Sequence, residues 1–504
     1  MEINVSSVGQ IYKNNFSPEK TAIFFKEKSI TYEELDHHVL SFSNFLKEKG
    51  VKKGDKIILN ASNSPEFLYT YLGTVRNGAV IVPINPSFTI EEMKFIAADS
   101  DANFLFIQEA ILTKNGVSAD VLSKELGVIV FVINDALLAE IAKAPKVDFD
   151  FVTDENDIST FLYTSGTTGV PKAAMLTHKN LLSNTRQCTI GVGTKPEDIF
   201  MCVLPMFHVF AFTACQLMPL FLGATVDIVE LFTPKVVINN LLERNISIFM
   251  GVPAMYMVLI EAGKNNISFP KLRLAVSGGA ALPVEVYHQA KSTIHLPIIE
   301  GYGLTESSPG AAFNPYDGVQ KPGSIGLPLI DMETRIAGPN DEELPVGEVG
   351  ELLLRGPNVM LGYYKRPEDT ATALKNGWLH TGDLAKVDEE GYIYIVDRIK
   401  DMVIVSGLNV YPREIEEVLH QHDKIKDVAV IGVADRLRGE TVVAYVILKD
   451  GETADQKEIL GWLETRLAVY KRPKRVVFMD ELPRNNTGKI LKRVLKESVE
   501  KKNQ

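Results

Sequence analysis

Short β-rich runs alternate with helix-like stretches over most of this 504-residue chain, and this alternation limits the fold more than any other feature. The β-rich runs are 56–60, 79–84, 103–107, 128–133, 272–276 and 298–301. Strands that alternate with helices pack as βαβ units, because each helix returns the chain to the start of the next parallel strand. The sequence therefore predicts a large α/β body.

The balance of charge changes near Asp397. Residues 1–396 carry a formal charge of −14, whereas residues 397–504 carry +3. The later part also has a different pattern, with helices predicted over 412–419, 456–467 and from 488, and strands over 427–433, 441–448 and 475–479. We therefore predict two domains, 1–396 and 397–504, the second a small α+β lobe.

Composition excludes several classes of protein. A formal net charge of −11 argues against general nucleic-acid binding, because a protein that covers phosphates needs a basic surface. Cys188, Cys202 and Cys215 have no CxxC spacing, so neither a disulfide framework nor a zinc site is predicted. This cysteine content fits a reducing compartment, and the first residues lack the pattern of a signal peptide. We expect a cytoplasmic protein.

One uncharged run, over residues 200–226, has the length of a membrane span. No positively charged flank sets an orientation for it. The run is interrupted by Pro205, His208, Gln216, Pro219 and Gly223. We interpret it as a helix and a strand buried inside the body, so no transmembrane segment is predicted, while peripheral membrane contact is left open.

The densest local motif is YTSGTTGVPK at 163–172, between a strand-like and a helix-like run. Glycines let backbone N–H groups turn towards an anion, hydroxyls donate to it, and a lysine adds positive charge. The spacing is not that of a Walker A loop, because Ala173 rather than a hydroxyl residue follows the lysine. An ordinary surface turn is the alternative. The motif predicts a phosphate-binding loop built by Thr164, Ser165, Gly166, Thr167, Thr168, Gly169 and Lys172.

Three further motifs suit a nucleotide. In 301–306, Tyr302 offers a flat face for a purine, and Glu306 offers a carboxylate for magnesium on phosphate oxygens. In 378–383, Asp383 is a natural acceptor for two ribose hydroxyls, with Arg398 in 397–401 as an assisting cation. Near the C-terminus, Lys489 lies at the start of a predicted helix. Each motif alone also fits a plain turn, a surface ion pair or a solvated charge.

Taken together and in this order, the motifs resemble the adenylate-forming superfamily of acyl-CoA synthetases, luciferases and peptide-synthetase adenylation domains. The resemblance covers nearly the whole chain, and segments 205–210, 251–256, 394–398 and 409–414 are most similar to bacterial fatty-acid:CoA ligases. One departure is Ala173, where the family commonly has glycine. The resemblance implies a large N-terminal α/β body of several subdomains and a small mobile C-terminal α+β lobe.

The resemblance also implies a two-step reaction, in which a carboxylic acid and MgATP give acyl-AMP and CoA then displaces AMP. It makes Lys489 the adenylation lysine, with Thr305 near the α-phosphate and Glu306 on magnesium. Lys172 and the loop hydroxyls hold the other phosphates. The adenine and ribose would be bound by Gly279, Ala280, Tyr302, Asp383 and Arg398.

In this family the lobe swings between two poses, and the resemblance makes Lys400 the hinge. One pose brings Lys489 into the site, and the other brings the loop around Gly407 to the pantetheine arm. A basic cluster in the lobe is a candidate surface for the CoA phosphates, although such a cluster also serves solubility. It consists of Lys471, Arg472, Lys474 and Arg475.

The acyl group is expected beside His208, Gly278 and Gly303. Gly303 occupies the position where acetate-specific members of the family carry tryptophan, so we expect an open pocket floor. Each buried methylene contributes about 0.8 kcal/mol, which favours a medium- or long-chain fatty acid. An aryl acid such as a cinnamate or benzoate is the second choice, and a stand-alone adenylation enzyme that loads a carrier protein is an alternative. The sequence leaves the oligomeric state open.

Overall fold

The structure is a computed structural model that describes residues 1–148, 154–164, 170–296, 298–435, 437–484 and 488–502. Its strands, in chain order, are β1 (Thr21–Phe25), β2 (Lys28–Thr31), β3 (Lys56–Asn60), β4 (Val80–Pro83), β5 (Ala102–Gln108), β6 (Ile129–Ile133), β7 (Ile158–Thr164), β8 (Lys172–Thr177), β9 (Ile199–Cys202), β10 (Thr225–Ile228), β11 (Ile248–Gly251), β12 (Leu274–Ser277), β13 (Ile298–Gly303), β14 (Gly310–Phe313), β15 (Leu327–Pro328), β16 (Glu333–Ala337), β17 (Gly350–Arg355), β18 (Gly362–Tyr363), β19 (Leu374–Lys375), β20 (Trp378–Val387), β21 (Ile393–Arg398), β22 (Val403–Val405), β23 (Leu408–Val410), β24 (Ile425–Asp435), β25 (Gly439–Leu448) and β26 (Arg475–Phe478).

Helices connect most of these strands. The α-helices are α1 (Tyr32–Glu48), α2 (Pro65–Arg76), α3 (Ile90–Ser100), α4 (Glu109–Asn115), α5 (Ala119–Leu126), α6 (Asp135–Ile141), α7 (His178–Gly191), α8 (Val209–Ala211), α9 (Met218–Leu222), α10 (Pro234–Glu243), α11 (Pro253–Lys264), α12 (Val284–Thr293), α13 (Pro367–Ala373), α14 (Pro412–His420), α15 (Gln456–Glu464) and α16 (Lys492–Lys502). Short 3₁₀ segments are Val8–Lys13, Thr305–Ser307 and Val469–Lys471, and a π-helix covers Phe212–Leu217.

Two largely parallel sheets build the body. One has the order β18-β8-β7-β4-β3-β5-β6 and is parallel from β7 through β6. The other has the order β15-β14-β13-β12-β11-β9-β10-β1-β2 and is parallel from β13 through β1. A single apolar cluster includes side chains of both sheets, among them Ile57, Ile81 and Val226. Because the carboxyl ends of parallel strands meet at one sheet edge, this arrangement brings distant loops together.

Two antiparallel sheets follow. The first has the order β16-β17-β20-β19, with β21 paired to β20, and the second, in the lobe, has the order β23-β22-β25-β24, with β26 parallel to β25. Strand β21 ends at Arg398 and β22 begins at Val403, so the chain passes from one sheet to the other through residues 399–402. The expected α/β fold with a small C-terminal domain is confirmed.

The uncharged run 200–226 lies inside the body, as interpreted from the sequence, and most of it is buried. It contains a helical segment between two strands, β9 and β10, rather than the expected helix and single strand. Within the described ranges, no helix is both long and apolar enough to cross a membrane. The last helix was expected from residue 488 but begins at Lys492. Gly488 has φ +81°, a left-handed conformation that does not fit a helix, so Lys489 lies in the segment before it.

Candidate active site

Tyr302, Asp383 and Arg398 meet at the edge of the body. The Tyr302 hydroxyl donates to Asp383 Oδ2 at 2.5 Å, and Arg398 Nε lies 3.4 Å from Asp383 Oδ1. Asp383 and Arg398 are direct partners in the pairing of β20 with β21, which is why residues 15 positions apart face each other. Burial raises the pKa of the Tyr302 hydroxyl, and the negative charge of Asp383 raises it further, so this hydroxyl stays protonated.

The segment Gly278-Gly279-Ala280 follows β12, which is the parallel neighbour of β13 and therefore ends beside Tyr302. Gly279 has φ +76°, a conformation that L side chains rarely adopt. A Cβ on Gly278 would lie 3.2 Å from the ring of Phe210. The glycines thus leave a flat backbone surface between the ring of Phe210 and the end of β13.

The predicted phosphate loop lies between β7 and β8, and the structure describes its two ends, Thr164 and Lys172. Thr164 and Lys172 are cross-strand partners, and the Thr164 hydroxyl is buried without a hydrogen-bond partner in the described part of the chain. Lys172 forms an ion pair with Asp369, and its Nζ lies 5.5 Å from the ring centroid of Tyr363. The remaining residues expected in the loop, Ser165, Gly166, Thr167, Thr168 and Gly169, lie outside the described residues.

Thr305 and Glu306 form a single 3₁₀ turn after β13. The Tyr363 hydroxyl donates to Glu306 Oε1 at 2.7 Å, and the Met360 N–H donates to the Glu306 carbonyl at 2.8 Å. Within the described residues, Oε2 of Glu306 has no hydrogen bond. One oxygen of this carboxylate is therefore held by Tyr363 and the other is unbonded there, and carboxylate oxygen is a ligand that Mg²⁺ prefers.

Lys489 belongs to the lobe but lies against the body. A Cβ on the adjacent Gly488 would be 3.5 Å from Val252 Cγ2 at the start of α11. Burial lowers the pKa of Lys489 to about 8, and the positive charge of Arg398 lowers it further. Burial also lowers the pKa of His208 to about 4, with the charge of Lys489 contributing. Lys489 thus lies within electrostatic reach of Arg398, Asp383 and His208.

A second contact joins the lobe to the body. Arg413, at the start of α14, lies 3.9 Å from Glu300 on β13, and both side chains are largely buried. Burial raises the pKa of the Glu300 carboxyl to about 7, while the positive charge of Arg413 opposes this effect. Glu300 Oε1 also accepts a hydrogen bond from the Leu282 N–H at 3.1 Å. This pair exists only while α14 stays beside β13.

The two other residues expected to act in the lobe are exposed. Lys400 lies in the turn between β21 and β22, where Asp401 and Met402 donate their N–H groups to the Arg398 carbonyl. Ser406 and Gly407 form the two-residue turn of the β22–β23 hairpin, and both have positive φ. A Cβ on Gly407 would meet nothing within 4 Å.

The expectation that Gly303 opens the floor of the acyl pocket needs correction. A Cβ built on Gly303 points at the backbone of Pro309 and overlaps its carbonyl group. Glycine is therefore required here by a close approach of two chain segments, and Leu304 N–H donates to the same carbonyl at 3.2 Å. A side chain at this position would push the segments apart rather than fill a pocket.

The basic cluster of the lobe has several partners within the lobe. Lys471 forms hydrogen bonds of 2.6 and 2.8 Å with the Glu414 carboxylate, and Lys474 pairs with Asp435. Arg472 donates to two backbone carbonyls of the same lobe. Most of this positive charge is thus engaged within the lobe, which argues against a ready-made surface for CoA phosphates.

Sequence reasoning missed four residues of the site. They are Glu300, Tyr363, Asp369 and Arg413. Tyr363 and Asp369 lie within GYYKRPED at 362–369, a conspicuous run of aromatic and charged residues that follows glycine. Tyr363 contacts Glu306, 57 positions away, and Asp369 contacts Lys172, 197 positions away. The sequence does not indicate these contacts, which follow from the pairing of β18 with β8.

A predicted phosphate-binding loop between β7 and β8, the nearby carboxylates of Glu306 and Asp369, and a lysine on a small C-terminal domain are the features expected of an adenylate-forming α/β enzyme. The AMP-binding enzyme profile matches residues 12–364, and that of the AMP-binding enzyme C-terminal domain matches residues 414–489. The chain belongs to the AMP-binding enzyme family of the adenylate-forming superfamily, and it is an ATP-dependent acyl-CoA ligase of the AMP-forming, acid–thiol ligase type.

Relatives differ in the acid that their names record. The chain is 35% identical to a long-chain-fatty-acid–CoA ligase of Bacillus subtilis, over 95% of this chain and 92% of the relative. It is also 35% identical to a feruloyl-CoA synthase of Amycolatopsis sp., over 96% of both chains. Among solved structures, ATP-bound MatB from Rhodopseudomonas palustris has a TM-score of 0.92 and 31% identity, with 98% of each chain covered. The anthranilate CoA ligase AuaEII with anthranoyl-AMP has a TM-score of 0.91 and 27% identity, covering 98% of this chain and 97% of its own.

Proposed function

We propose that the protein activates a medium- or long-chain fatty acid, first to acyl-AMP and then to acyl-CoA, with release of pyrophosphate and AMP. The observation that carries the proposal is the burial of Lys489 within electrostatic reach of Arg398, Asp383 and His208. A cation in that position suits the junction between a nucleotide and an acyl chain. The proposed domains are a body of residues 1–396 and a lobe of residues 397–504.

The nucleotide would bind across the edge of the two sheets. Asp383 would accept the ribose hydroxyls, with Arg398 as its partner, and the adenine would lie against Tyr302, Gly279 and Ala280. Thr164, with its unpartnered buried hydroxyl, fits a phosphate oxygen, and Lys172 adds positive charge. The assignments of residues 165–169 to the β- and γ-phosphates, and of Thr305 to the α-phosphate, rest on the resemblance of their motifs.

Magnesium would be held by Glu306, because the described structure leaves one of its oxygens without a hydrogen bond. When bound, the ion would neutralise charge on the phosphate oxygens. The residues of the chain would bind and orient the substrates of the first half-reaction. Backbone and side-chain donors hold the triphosphate in one orientation, and this fixed geometry is the main source of rate in phosphoryl and nucleotidyl transfer.

In the first step an oxygen of the fatty carboxylate attacks the α-phosphorus, a P–O bond to it forms, and the bond to pyrophosphate breaks. No proton transfer is required. The protonated ammonium of Lys489 would attract both the carboxylate and the α-phosphate, which align for attack while developing negative charge is offset. Lys489 must therefore carry its proton, which its lowered pKa makes dependent on pH.

In the second step the CoA thiolate attacks the acyl carbon, and AMP leaves. We propose that rotation about Lys400 removes Lys489 and brings the hairpin turn at Gly407 to the site. Two observations support this. The Gly407 turn is exposed with open space around it, and Lys400 lies in the short connection between two sheets. The rotation would also break the contact between Arg413 and Glu300.

The acyl chain would lie among Phe210, Val252, Met255 and Gly278, beside His208. Val252 belongs to the main core cluster, and Phe210 and Met255 pack against it, so this surface is apolar. Burying about ten methylenes there would contribute up to about 8 kcal/mol, which favours a long chain. An aryl acid is the second candidate, because the ring of Phe210 against Gly278 also offers a flat surface for a planar substrate.

A panel of acids tests the proposal. Acyl-CoA formation would be measured as kcat/KM for straight-chain acids of two to sixteen carbons, ferulate and benzoate, with pyrophosphate release followed with and without CoA. The proposal expects kcat/KM to rise with chain length and CoA thioesters as products. Preference for ferulate or benzoate would favour the aryl acid, and pyrophosphate release without CoA thioesters would favour a carrier protein as acceptor.

We also propose a cytoplasmic location, supported by three cysteines that are all unpaired thiols.

A further inference from the structure

Tyr363 is a single side chain that contacts two charged groups of the proposed phosphate site. Its hydroxyl donates to Glu306 Oε1 at 2.7 Å, and its ring lies 5.5 Å from Lys172 Nζ, a cation–π distance. Lys172 is in turn paired with Asp369, six positions after Tyr363. One short segment therefore reaches both the phosphate loop and the carboxylate that follows β13.

The backbone fixes Tyr363 relative to these partners. Strand β18 pairs with β8, so that Tyr363 lies opposite Ala174, two positions after Lys172. The Tyr363 N–H donates to Thr370 Oγ1 at 2.9 Å, and Met360 N–H donates to the Glu306 carbonyl. Backbone hydrogen bonds thus fix both residues of the Tyr363–Glu306 contact, so the Tyr363 hydroxyl is preorganised to donate to Glu306.

The chemistry of the pair is that of a donor and a charged acceptor. An ionised carboxylate can only accept, so the Tyr363 hydroxyl is the donor in the 2.7 Å hydrogen bond to Glu306 Oε1. A hydrogen bond to a carboxylate is stronger than one between neutral groups and restricts the rotation of the carboxylate. Side chains that hold metal-binding groups in this way typically change metal affinity or activity by about 10- to 100-fold.

We propose that Tyr363 is the positioning residue for the magnesium carboxylate: it binds one oxygen of Glu306 and so presents the other to the MgATP phosphates. This inference rests on the proposed function, in which Glu306 holds magnesium. Tyr363 does not contact the reacting atoms. Its role is to fix Glu306 in one orientation before the nucleotide arrives, which lowers the cost of ordering that side chain on binding.

Tyr364 offers a matched control. It is the next residue, its N–H donates to the carbonyl of Ala173 in β8 at 2.9 Å, and its hydroxyl also donates to a carboxylate, that of Asp101 at 2.8 Å. Asp101 also pairs with Lys365, and both of these side chains are exposed. Tyr363→Phe and Tyr364→Phe therefore each remove one hydroxyl and one hydrogen bond to a carboxylate, but only the first affects Glu306.

The experiment compares the two variants in the full-length protein. Mn²⁺ would be titrated in the presence of a non-hydrolysable ATP analogue, with free ion measured by electron paramagnetic resonance, and the Mg²⁺ dependence of acyl-AMP formation would be measured separately. Tyr363→Phe is expected to weaken metal binding and to raise the half-saturating Mg²⁺ concentration by about 10- to 100-fold, with much of the rate restored at high Mg²⁺. Tyr364→Phe is expected to match the wild type in both measurements.

A purely structural role for Tyr363 predicts a lower melting temperature with unchanged metal binding, and that result would overturn the inference. Glu306→Gln separates this failure from that of the proposed function. If Glu306→Gln weakens metal binding while Tyr363→Phe does not, the positioning role is wrong and the proposed function stands. If Glu306→Gln leaves metal binding unchanged, the assignment of Glu306 fails and the inference with it.

Discussion

The lowered pKa of Lys489 makes the first half-reaction sensitive to pH in a range where an ordinary lysine would not titrate. With a pKa of about 8, set mainly by burial, the protonated fraction of Lys489 falls about tenfold between pH 7 and pH 9. The reaction needs the protonated form, so kcat/KM for ATP in acyl-AMP formation should fall about tenfold over this interval. An unperturbed lysine would remain almost fully protonated and give a flat profile.

Two other buried groups of the site have shifted pKa values. Burial lowers the pKa of His208 to about 4, so His208 has lost its proton well below pH 7, whereas burial raises the pKa of Glu300 to about 7, so this carboxyl completes its titration in the first part of the interval. Lys489→Arg provides the matched variant, because a guanidinium remains charged throughout this range. The variant should be slower but flat from pH 7 to pH 9. A flat wild-type profile, or the same fall in Lys489→Arg, would refute the assignment of the titration to Lys489.

Three further predictions concern the hinge, the corrected glycine and the contact between domains. Lys400→Pro should slow the CoA step much more than acyl-AMP formation in single-turnover assays, because proline fixes φ at the proposed hinge. Lys400→Ala should leave the rates of both steps similar to those of the wild type. An unchanged CoA step in the proline variant would exclude Lys400 as the hinge. Gly303→Ala should lower the free energy of unfolding by roughly 1 to 3 kcal/mol and reduce activity equally for short and long acids. Gly461→Ala, within helix α15 and in open space, should leave activity unchanged and raise the free energy of unfolding by about 0.5 to 1 kcal/mol. Selective loss of long acids in Gly303→Ala would restore the pocket-floor role. Glu300→Gln keeps a hydrogen-bond acceptor for the Leu282 N–H but loses the charge that attracts Arg413. Acyl-AMP formation should therefore slow by about two- to tenfold, while the CoA step from supplied acyl-AMP keeps its rate. Equal effects on both steps would contradict a role of the Glu300–Arg413 contact in holding the lobe for the first step.

Much of the body was predictable because its strands are short apolar runs bounded by turn residues. Strand β3 occupies the predicted residues 56–60, and β5, β6 and β13 begin within one residue of their expected starts. The segment around Lys489 was less predictable. A run rich in lysine and leucine suggests a helix from Gly488, but the local preference does not reveal the left-handed glycine that delays the helix to Lys492.

The candidate site was predictable where a motif is local and not where it depends on tertiary pairing. Asp383 and Arg398 were identified as separate motifs, and the β20–β21 register explains why they meet. The role of Gly303 was misjudged because the sequence does not show which way a side chain at this position would point. In the structure it would point at the backbone of Pro309 and not into a pocket. Tyr363 was missed because nothing in GYYKRPED indicates that its partner is Glu306.

The central claim is that Lys489 serves acyl-AMP formation and not the transfer to CoA. The most direct test is a rapid-quench measurement of both half-reactions in Lys489→Ala, with Arg493→Ala, an exposed cation on the following helix, as the control. Acyl-AMP formation should fall by about 10² to 10⁴ in rate, while conversion of supplied acyl-AMP to acyl-CoA stays near the wild-type rate. An equal loss in both half-reactions, or a normal rate of acyl-AMP formation, would contradict the account.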